Sequence, residues 1–213
     1  MVEKPIIPKP KLILPHASAG DWDFSDPAWK ITTLQYVSPP SCLQIGTTAS
    51  PISCFLLCKN AAVLKLPQGR LVSFIRPANL SHAHLFQFRN TAAPGASDQK
   101  NCYYAWLVHT STSWTLYEML NDAIQRVFIG TKTTWAHSTW HRIRISWWLS
   151  WDTLIVALER EINGVWTMEG DVLTIPNPLH GDATYQRVGL GASNSNQDYP
   201  NFQDDTEIWE YIP

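Results

Sequence analysis

The stretch Trp140-His141-Arg142-Ile143-Arg144-Ile145-Ser146-Trp147-Trp148 decides the fold class, together with Thr153-Leu154-Ile155-Val156-Ala157-Leu158-Glu159-Arg160-Glu161-Ile162 and the Asn163-Gly164 that follows. Side chains on a strand alternate between faces. Ile143, Ile145 and Trp147 therefore share one face, and Trp140, Arg142, Arg144, Ser146 and Trp148 the other. After a turn around 150–152, Leu154, Val156 and Leu158 alternate against Ile155, Ala157 and Glu159. Asn-Gly best suits a two-residue type I′ hairpin, because both central residues need positive φ. The run is predicted to be a meander of antiparallel strands. Ile143, Ile145, Leu154, Val156 and Leu158 face the core, and Arg142 and Arg144 the opposite side.

Outward from this meander, Gly, Pro, Asn and Ser clusters separate further short β-type runs, and no segment of ten or more residues holds a 3.6-residue apolar period. Strands are predicted near 43–45, 71–75, 85–89, 103–109, 114–119, 126–129, 187–191 and 206–211. The chain reads as all-β. Its 213 residues, 45% of them hydrophobic, suit a single sandwich that needs neither disulfides nor metal for its core. A charged fraction of 16% and 11 Trp exclude disorder for most of the chain. The net charge of −2 argues against nucleic-acid binding, which rests on clustered Lys and Arg. No run approaches the ~18 apolar residues of a membrane span.

Residues 1–20 hold Pro5, Pro8, Pro10 and Pro15. These break every candidate signal-peptide core and favour an extended arm rather than a helix or central strand. The expected organisation is this arm (1–20) followed by one domain (21–213). The arm is expected to be ordered only in an assembly, docked on a neighbour. Cys42, Cys54, Cys58 and Cys102 form no CxxC pair and no zinc spacing, so they read as buried thiols acting as small hydrophobes.

The order of motifs resembles a known family. Gly69-Arg70-Leu71-Val72-Ser73-Phe74-Ile75-Arg76-Pro77 is similar to the "sF-hR" strand of laminin-G-like domains. The Trp140–Ile145 and Leu154–Leu158 runs resemble their central hairpin. Val188-Gly189-Leu190-Gly191 resembles the "h-G-h-G" strand, and Asp204-Asp205-Thr206-Glu207-Ile208-Trp209 the closing "DD-x-x-I" strand. The resemblance, over about 21–211, is to the concanavalin A-like lectin/glucanase superfamily. It implies a two-sheet antiparallel β-sandwich, a jelly roll, with its first and last strands side by side. It also implies a calcium candidate at Asp21, Asp23, Asp204 and Asp205, against the plainer reading of an acidic, solvated stretch. Otherwise no cofactor is expected.

Glucanases of this superfamily carry E-x-D-x-E on one strand, and neither Glu159-Arg160-Glu161 nor Asp205-Thr206-Glu207 completes it. Glu159 and Glu161 read as a solvated strand end, and a non-enzyme is expected. His82 with His84, and His137 with His141, read as exposed polar positions. The aromatics are the positive signal, because Trp and Tyr faces stack on sugar rings and Arg pairs with hydroxyls or carboxylates. The glycan candidates are Trp140, Arg142, Arg144 and Trp148 on one strand face, with Trp151 and Tyr199 in loops. Each Trp has core packing as its plainer alternative.

The function expected from the sequence is a non-catalytic surface-binding or structural jelly roll. Its setting is a virion, as a phage capsid-decoration or tail component that reaches the outside without an export signal, and it has a capacity for glycan contact. Its partners are a second copy or assembly partner met through the arm, and a polysaccharide. The alternatives are a stand-alone lectin module and a divergent glycoside hydrolase, with a cytoplasmic location.

Overall fold

A computed structural model of the chain describes residues 9–14, 29–33, 42–45, 52–57, 68–77, 83–90, 101–135, 139–148, 153–179, 187–195 and 201–210. These contain fifteen strands and no helix. In chain order the strands are β1 (Lys9–Leu14), β2 (Trp29–Thr32), β3 (Cys42–Ile45), β4 (Ile52–Leu57) and β5 (Gln68–Arg76). There follow β6 (Ala83–Asn90), β7 (Asn101–Val108), β8 (Ser113–Leu120), β9 (Ala123–Thr131) and β10 (His141–Trp148). The last five are β11 (Thr153–Ile162), β12 (Val165–Met168), β13 (Leu173–Pro176), β14 (Arg187–Ser195) and β15 (Asn201–Glu210). They form two antiparallel sheets. A nine-stranded sheet runs β12-β11-β10-β5-β15-β3-β2, with β1 also on β15 and β13 also on β11. A six-stranded sheet runs β4-β14-β6-β7-β8-β9.

The meander predicted from the sequence is present in its predicted register. β10 pairs with β11 as Ile143↔Leu158 and Ile145↔Val156, and with β5 as Ile143↔Ser73 and Ile145↔Leu71. Ile143, Ile145, Leu154, Val156 and Leu158 are buried, while Arg142 and Arg144 lie half-buried on the other face. Asn163 and Gly164 have φ of 51° and 78°, as the type I′ turn requires. A second two-residue turn joins β8 to β9 through Asn121 and Asp122, at φ 52° and 63°. Asn and Asp tolerate this region better than other non-glycine residues.

The inner faces meet in one core. β5, β10 and β11 contribute residues such as Leu71, Ile143 and Val156, and the six-stranded sheet supplies Phe86, Tyr103, Leu107, Trp114 and Leu116. Trp135, in the segment leading to β10, is fully buried among them. Gly130 of β9 lets the sheet close over Trp114. A Cβ there would sit 2.5 Å from Trp114 Nε1 and 2.9 Å from Cε2.

Five strands lie outside the sequence-predicted set: β1, β2, β4, β12 and β13. The first corrects the expectation of an arm ordered only in an assembly. Residues 9–14 pair antiparallel with β15, from Lys9↔Glu210 to Leu14↔Thr206, with a register shift between Pro10 and Leu12. Proline lacks the N–H a central strand needs but is tolerated at a sheet edge or bulge, and β1 lies at such an edge. Residues 1–8 and 15–20 are outside the described residues. β14 runs on through Ser193–Ser195, beyond the strand predicted near 187–191.

Two outcomes follow. Gly130→Ala should cost about 1–3 kcal/mol, the usual range for overpacking a filled core, read as a lower denaturation midpoint at unchanged m-value. Deleting residues 1–15 uncovers the β15 edge and should lower the melting temperature by at least the ~2–4 °C that about 1 kcal/mol represents in a chain of this size. A calorimetric scan with no shift would contradict the β1–β15 pairing.

Candidate functional site

The nine-stranded sheet carries Arg142 and Arg144 on its outer face, where their guanidinium groups are already committed. Arg142 Nε donates to Glu159 Oε2 at 2.5 Å and Arg144 Nε to Glu159 Oε1 at 3.1 Å. The Arg142 guanidinium also lies 4.5 Å from the ring centre of Trp166, itself 5.3 Å from Phe74. Glu159 is 7% exposed, which corrects its reading as a solvated carboxylate. Its place between two arginines, directly across from Arg142 on β11, makes it a cross-strand tie. Glu161, two residues on, is exposed as expected.

The remaining sequence candidates lie in several places. Trp140 is half-buried just ahead of β10, and Trp148 ends that strand. Trp151 and Tyr199 lie outside the described residues, as do Asp21 and Asp23. Asp205 falls at the register shift of β15 between Asp204 and Thr206. Asp204 is fully buried, near Cys42 and Arg76. Burial, reinforced by Asp204 and opposed by Arg76, pushes the Cys42 thiol up to about 12. Cys42 and Cys102 are buried thiols outside any disulfide, in keeping with small hydrophobes. Among the described residues no three His, Cys, Asp or Glu side chains converge as metal ligands.

Two histidines read as exposed are instead fully buried, and a third, His109, joins them. The correction has a clear cause: each ring finds a partner inside. His84 Nε2 lies 3.3 Å from the Phe202 carbonyl and so donates to it, which leaves Nδ1 to accept from His109 Nε2 at 2.9 Å when both rings are neutral. This links β6 of one sheet to β15 of the other. Trp135 stacks between His109, at 5.5 Å, and His141, at 4.3 Å. Glu169 collects three donors, His141 Nδ1 at 2.8 Å, Trp135 Nε1 at 2.9 Å and the Thr133 hydroxyl. Burial alone would raise the Glu169 carboxyl, but the His141 hydrogen bond and charge, with Thr133, hold it below the usual range. Burial lowers His141, outweighing the pull of Glu169. Burial also brings the Lys132 ammonium down to about 8, where it donates to the carbonyls of Ser111, Thr133 and His109 at 2.7, 3.1 and 3.4 Å. His84, His109, Trp135, His141 and Glu169 are all buried inside the sandwich.

The open aromatic surface is on the outer face of the six-stranded sheet. Cross-strand pairing sets out two rows. One runs Leu85–Trp106–Thr115–Ile129 and the next Gln87–Tyr104–Tyr117–Val127. At the centre, Leu85, Cys102, Tyr104 and Met119 form a second buried cluster with Tyr117 against it. Exposure rises along the rows: Trp106 on β7 is 38% exposed, and Val127 and Ile129 on β9 are 49% and 68% exposed. Trp106 meets Tyr104 edge-on, with ring centres 6.0 Å apart and planes at 89°. Tyr104 stacks on Tyr117 at 6.0 Å and 26°. The Trp106 ring is thereby held in place with part of its surface free, beside the Thr115 side chain. No charged side chain belongs to either row. The alternation in Asn101–Val108 was the available signal for this face. Tyr103, Ala105 and Leu107 fall on one side and Tyr104 and Trp106 on the other, but both sides are apolar.

No protein-family model and no curated protein matches the sequence. Solved structures do. A legume lectin-like domain from Entamoeba histolytica aligns over 86% of this chain and 90% of its own, with a TM-score of 0.59 at 10% identity. A conserved carbohydrate esterase from the Shiga toxin-encoding bacteriophage phi24B aligns over 96% and 100%, at 0.59 and 10%. The exoplasmic/lumenal domain of VIP36, in a form bound to Ca2+ and Man3GlcNAc, aligns over 93% of both chains, at 0.58 and 9%. The fold is the lectin-like, concanavalin A-like β-sandwich.

The buried pair fixes a pH dependence. His141 is held below its ordinary 6.5 and Glu169 below its ordinary 4.5, so the unfolded chain takes up protons that the folded one resists. The contribution of this pair is then full above about pH 6.5, falls as His141 is forced to charge, and falls further below about pH 4.5 as Glu169 is neutralised. Melting temperatures of the wild type should drop across that interval. Glu169→Gln should be less stable at neutral pH and show a shallower acid slope, and a flat wild-type profile down to about pH 3.5 would contradict the assignment.

Proposed function

We propose that this protein is a non-catalytic, lectin-like glycan-binding module, with the outer face of the six-stranded sheet around Trp106 as its sugar platform. The observation that carries this is the ring of Trp106, partly exposed and held edge-on by Tyr104, in a cross-strand row without charge. A flat, fixed indole offers a sugar's C–H face contact area at little entropic cost, and Thr115 lies next to it for hydroxyl contact. Arg142 and Arg144, by contrast, each give their Nε to Glu159.

A virion is the setting we propose, with the protein displayed outside the cell. The likeness to a phage protein over nearly the full length of both chains supports it. Assembly with further copies or with other particle proteins belongs to the same reading. So does calcium binding at Asp21, Asp23, Asp204 and Asp205, supported by the Ca2+-bound relative in fold. Calcium titration of the wild type and of Asp204→Asn tests that part.

The test of the platform is a glycan array followed by calorimetric titration of the best binder. Trp106→Ala should weaken binding by at least about tenfold, some 1.4 kcal/mol, without moving the melting temperature by more than the ~1–2 °C expected of a half-exposed site. Arg142→Ala should retain affinity. Binding that survives Trp106→Ala but fails in the arginine variant would overturn the platform. Because one relative in fold is a carbohydrate esterase, the same glycans in acetylated form should be incubated with the protein. Sustained turnover would overturn the non-catalytic reading.

A further inference from the structure

Glu159 engages only one edge of each arginine beside it. Arg142 and Arg144 both reach it through Nε, one to each carboxylate oxygen. The terminal nitrogens, which make up the fork that grips oxyanions, are left over. Among the described residues they meet only the Met168 thioether, 3.5 Å from Arg144 Nη2, and a thioether is a weak acceptor. Both guanidinium groups are nonetheless held in place. Arg142 lies over the Trp166 ring at 4.5 Å, and the two arginine side chains are 22% and 24% exposed.

The charges at this spot do not balance. Two guanidinium groups share one carboxylate, which leaves one positive charge in excess. The other carboxylates of the outer face are further off. Glu161 is exposed beyond Glu159 on β11. Asp204 and Glu207 lie two strands away, about 10 Å, across Phe74 from Arg142 and across Val72 from Arg144. In the register β5 sets an arginine nearer to each of them, Arg76 and Arg70. None of the three bonds to Arg142 or Arg144 among the described residues. A partly desolvated charge without its counter-charge is unfavourable, so the pair favours an anion supplied from outside.

We propose that Arg142 and Arg144 form an oxyanion site that takes the singly charged group of an acidic sugar, a carboxylate or a sulfate ester. One such group cancels the excess. A phosphate monoester, at about −1.5 to −2 charges near neutral pH, overshoots it. The two arginine Cα atoms are about 7 Å apart along β10, close enough for both forks to reach the oxygens of one group. The side chains across from Arg144 are Ala157 and Val72, and Phe74 lies across from Arg142, so none of these competes for the anion. That a sugar carries the anion rests on the glycan-binding reading. The anion site itself lies on the other sheet from Trp106 and does not depend on that platform.

Calorimetric titration of the full chain near neutral pH tests it, with D-glucuronate, glucose 6-sulfate, inorganic phosphate and glucose as probes. At least one of the two acidic sugars should bind with a Kd of about 10 mM or lower, and which one does separates carboxylate from sulfate. Phosphate should bind more weakly and glucose not measurably. Arg144→Gln keeps the Arg142–Glu159 pair and removes the excess charge. It should melt as the wild type does and weaken the acidic sugar at least about tenfold. Arg144→Lys keeps the charge without the fork and should fall between the two. Trp106→Ala should bind the acidic sugar as the wild type does, so this site and the platform stand or fall separately. A wild type that binds neither acidic sugar overturns the proposal. So does phosphate binding more tightly than both, or binding that Arg144→Gln leaves unchanged.

Discussion

Strand β10 is hydrogen-bonded on both sides through all eight of its residues, to β5 and to β11. Its alternation is the constraint on which the sandwich depends. A slip of one residue in either ladder would carry Ile143 and Ile145 to the outer face and bring two arginines into the core. The residues opposite them enforce the same choice. Ser73, Leu71, Leu158 and Val156 are all buried on the inner side, and Glu159 waits for the arginines on the outer side. Hydrophobic burial and the Arg–Glu tie select one register together, and that agreement gives a single stable pairing rather than several near-equal ones.

The charges that remain inside are handled by a common device. Glu169 gathers three donors. Glu118 gathers Tyr103 at 2.5 Å, Leu179 N at 2.9 Å and two bonds from Arg126, so that hydrogen bonds overcome the upward push of burial on its carboxyl. Lys132 spends its ammonium on three carbonyl oxygens and lies 4.9 Å from the Trp135 ring centre. Each group joins elements distant in sequence. Glu118 holds β8, β9 and the chain after β13, and Lys132 holds the segment after β9 to the β7–β8 turn. A buried charge so served costs less than its bare desolvation, and it forbids alternative packings in which its donors would be missing.

How much of this was legible in the sequence follows from which interactions are local. The β10–β11 meander was, because alternation and the Asn163-Gly164 turn are written in consecutive residues. The lectin-like sandwich was, because the order of four strand motifs survives without close sequence similarity. β1, β12 and β13 were not. They are short edge strands; β1 and β13 pair with strands that are not their neighbours in the chain, β15 and β11, and β12 shows no alternation of its own beyond the turn that starts it. Trp106 was passed over because the strand is apolar on both faces, and only the opposite sheet shows which side is inward. His84 and His141 were misread for a related reason, since alternation places a residue on a face but does not say whether its polar atoms find partners within.

Because β1 and β15 run antiparallel with Lys9 opposite Glu210, the two ends of the sheet-forming chain leave the sandwich one strand spacing apart, about 5 Å. They do so beside β5 in the nine-stranded sheet, whereas β9 borders the other sheet. Such a domain is topologically close to a ring. A short linker between residues 9 and 210 could join them, and the polar Asn163-Gly164 turn could then be opened to give new ends, a rearrangement that adjacent termini commonly tolerate. By the same geometry the domain can be spliced into a surface loop of a carrier protein through both ends at once.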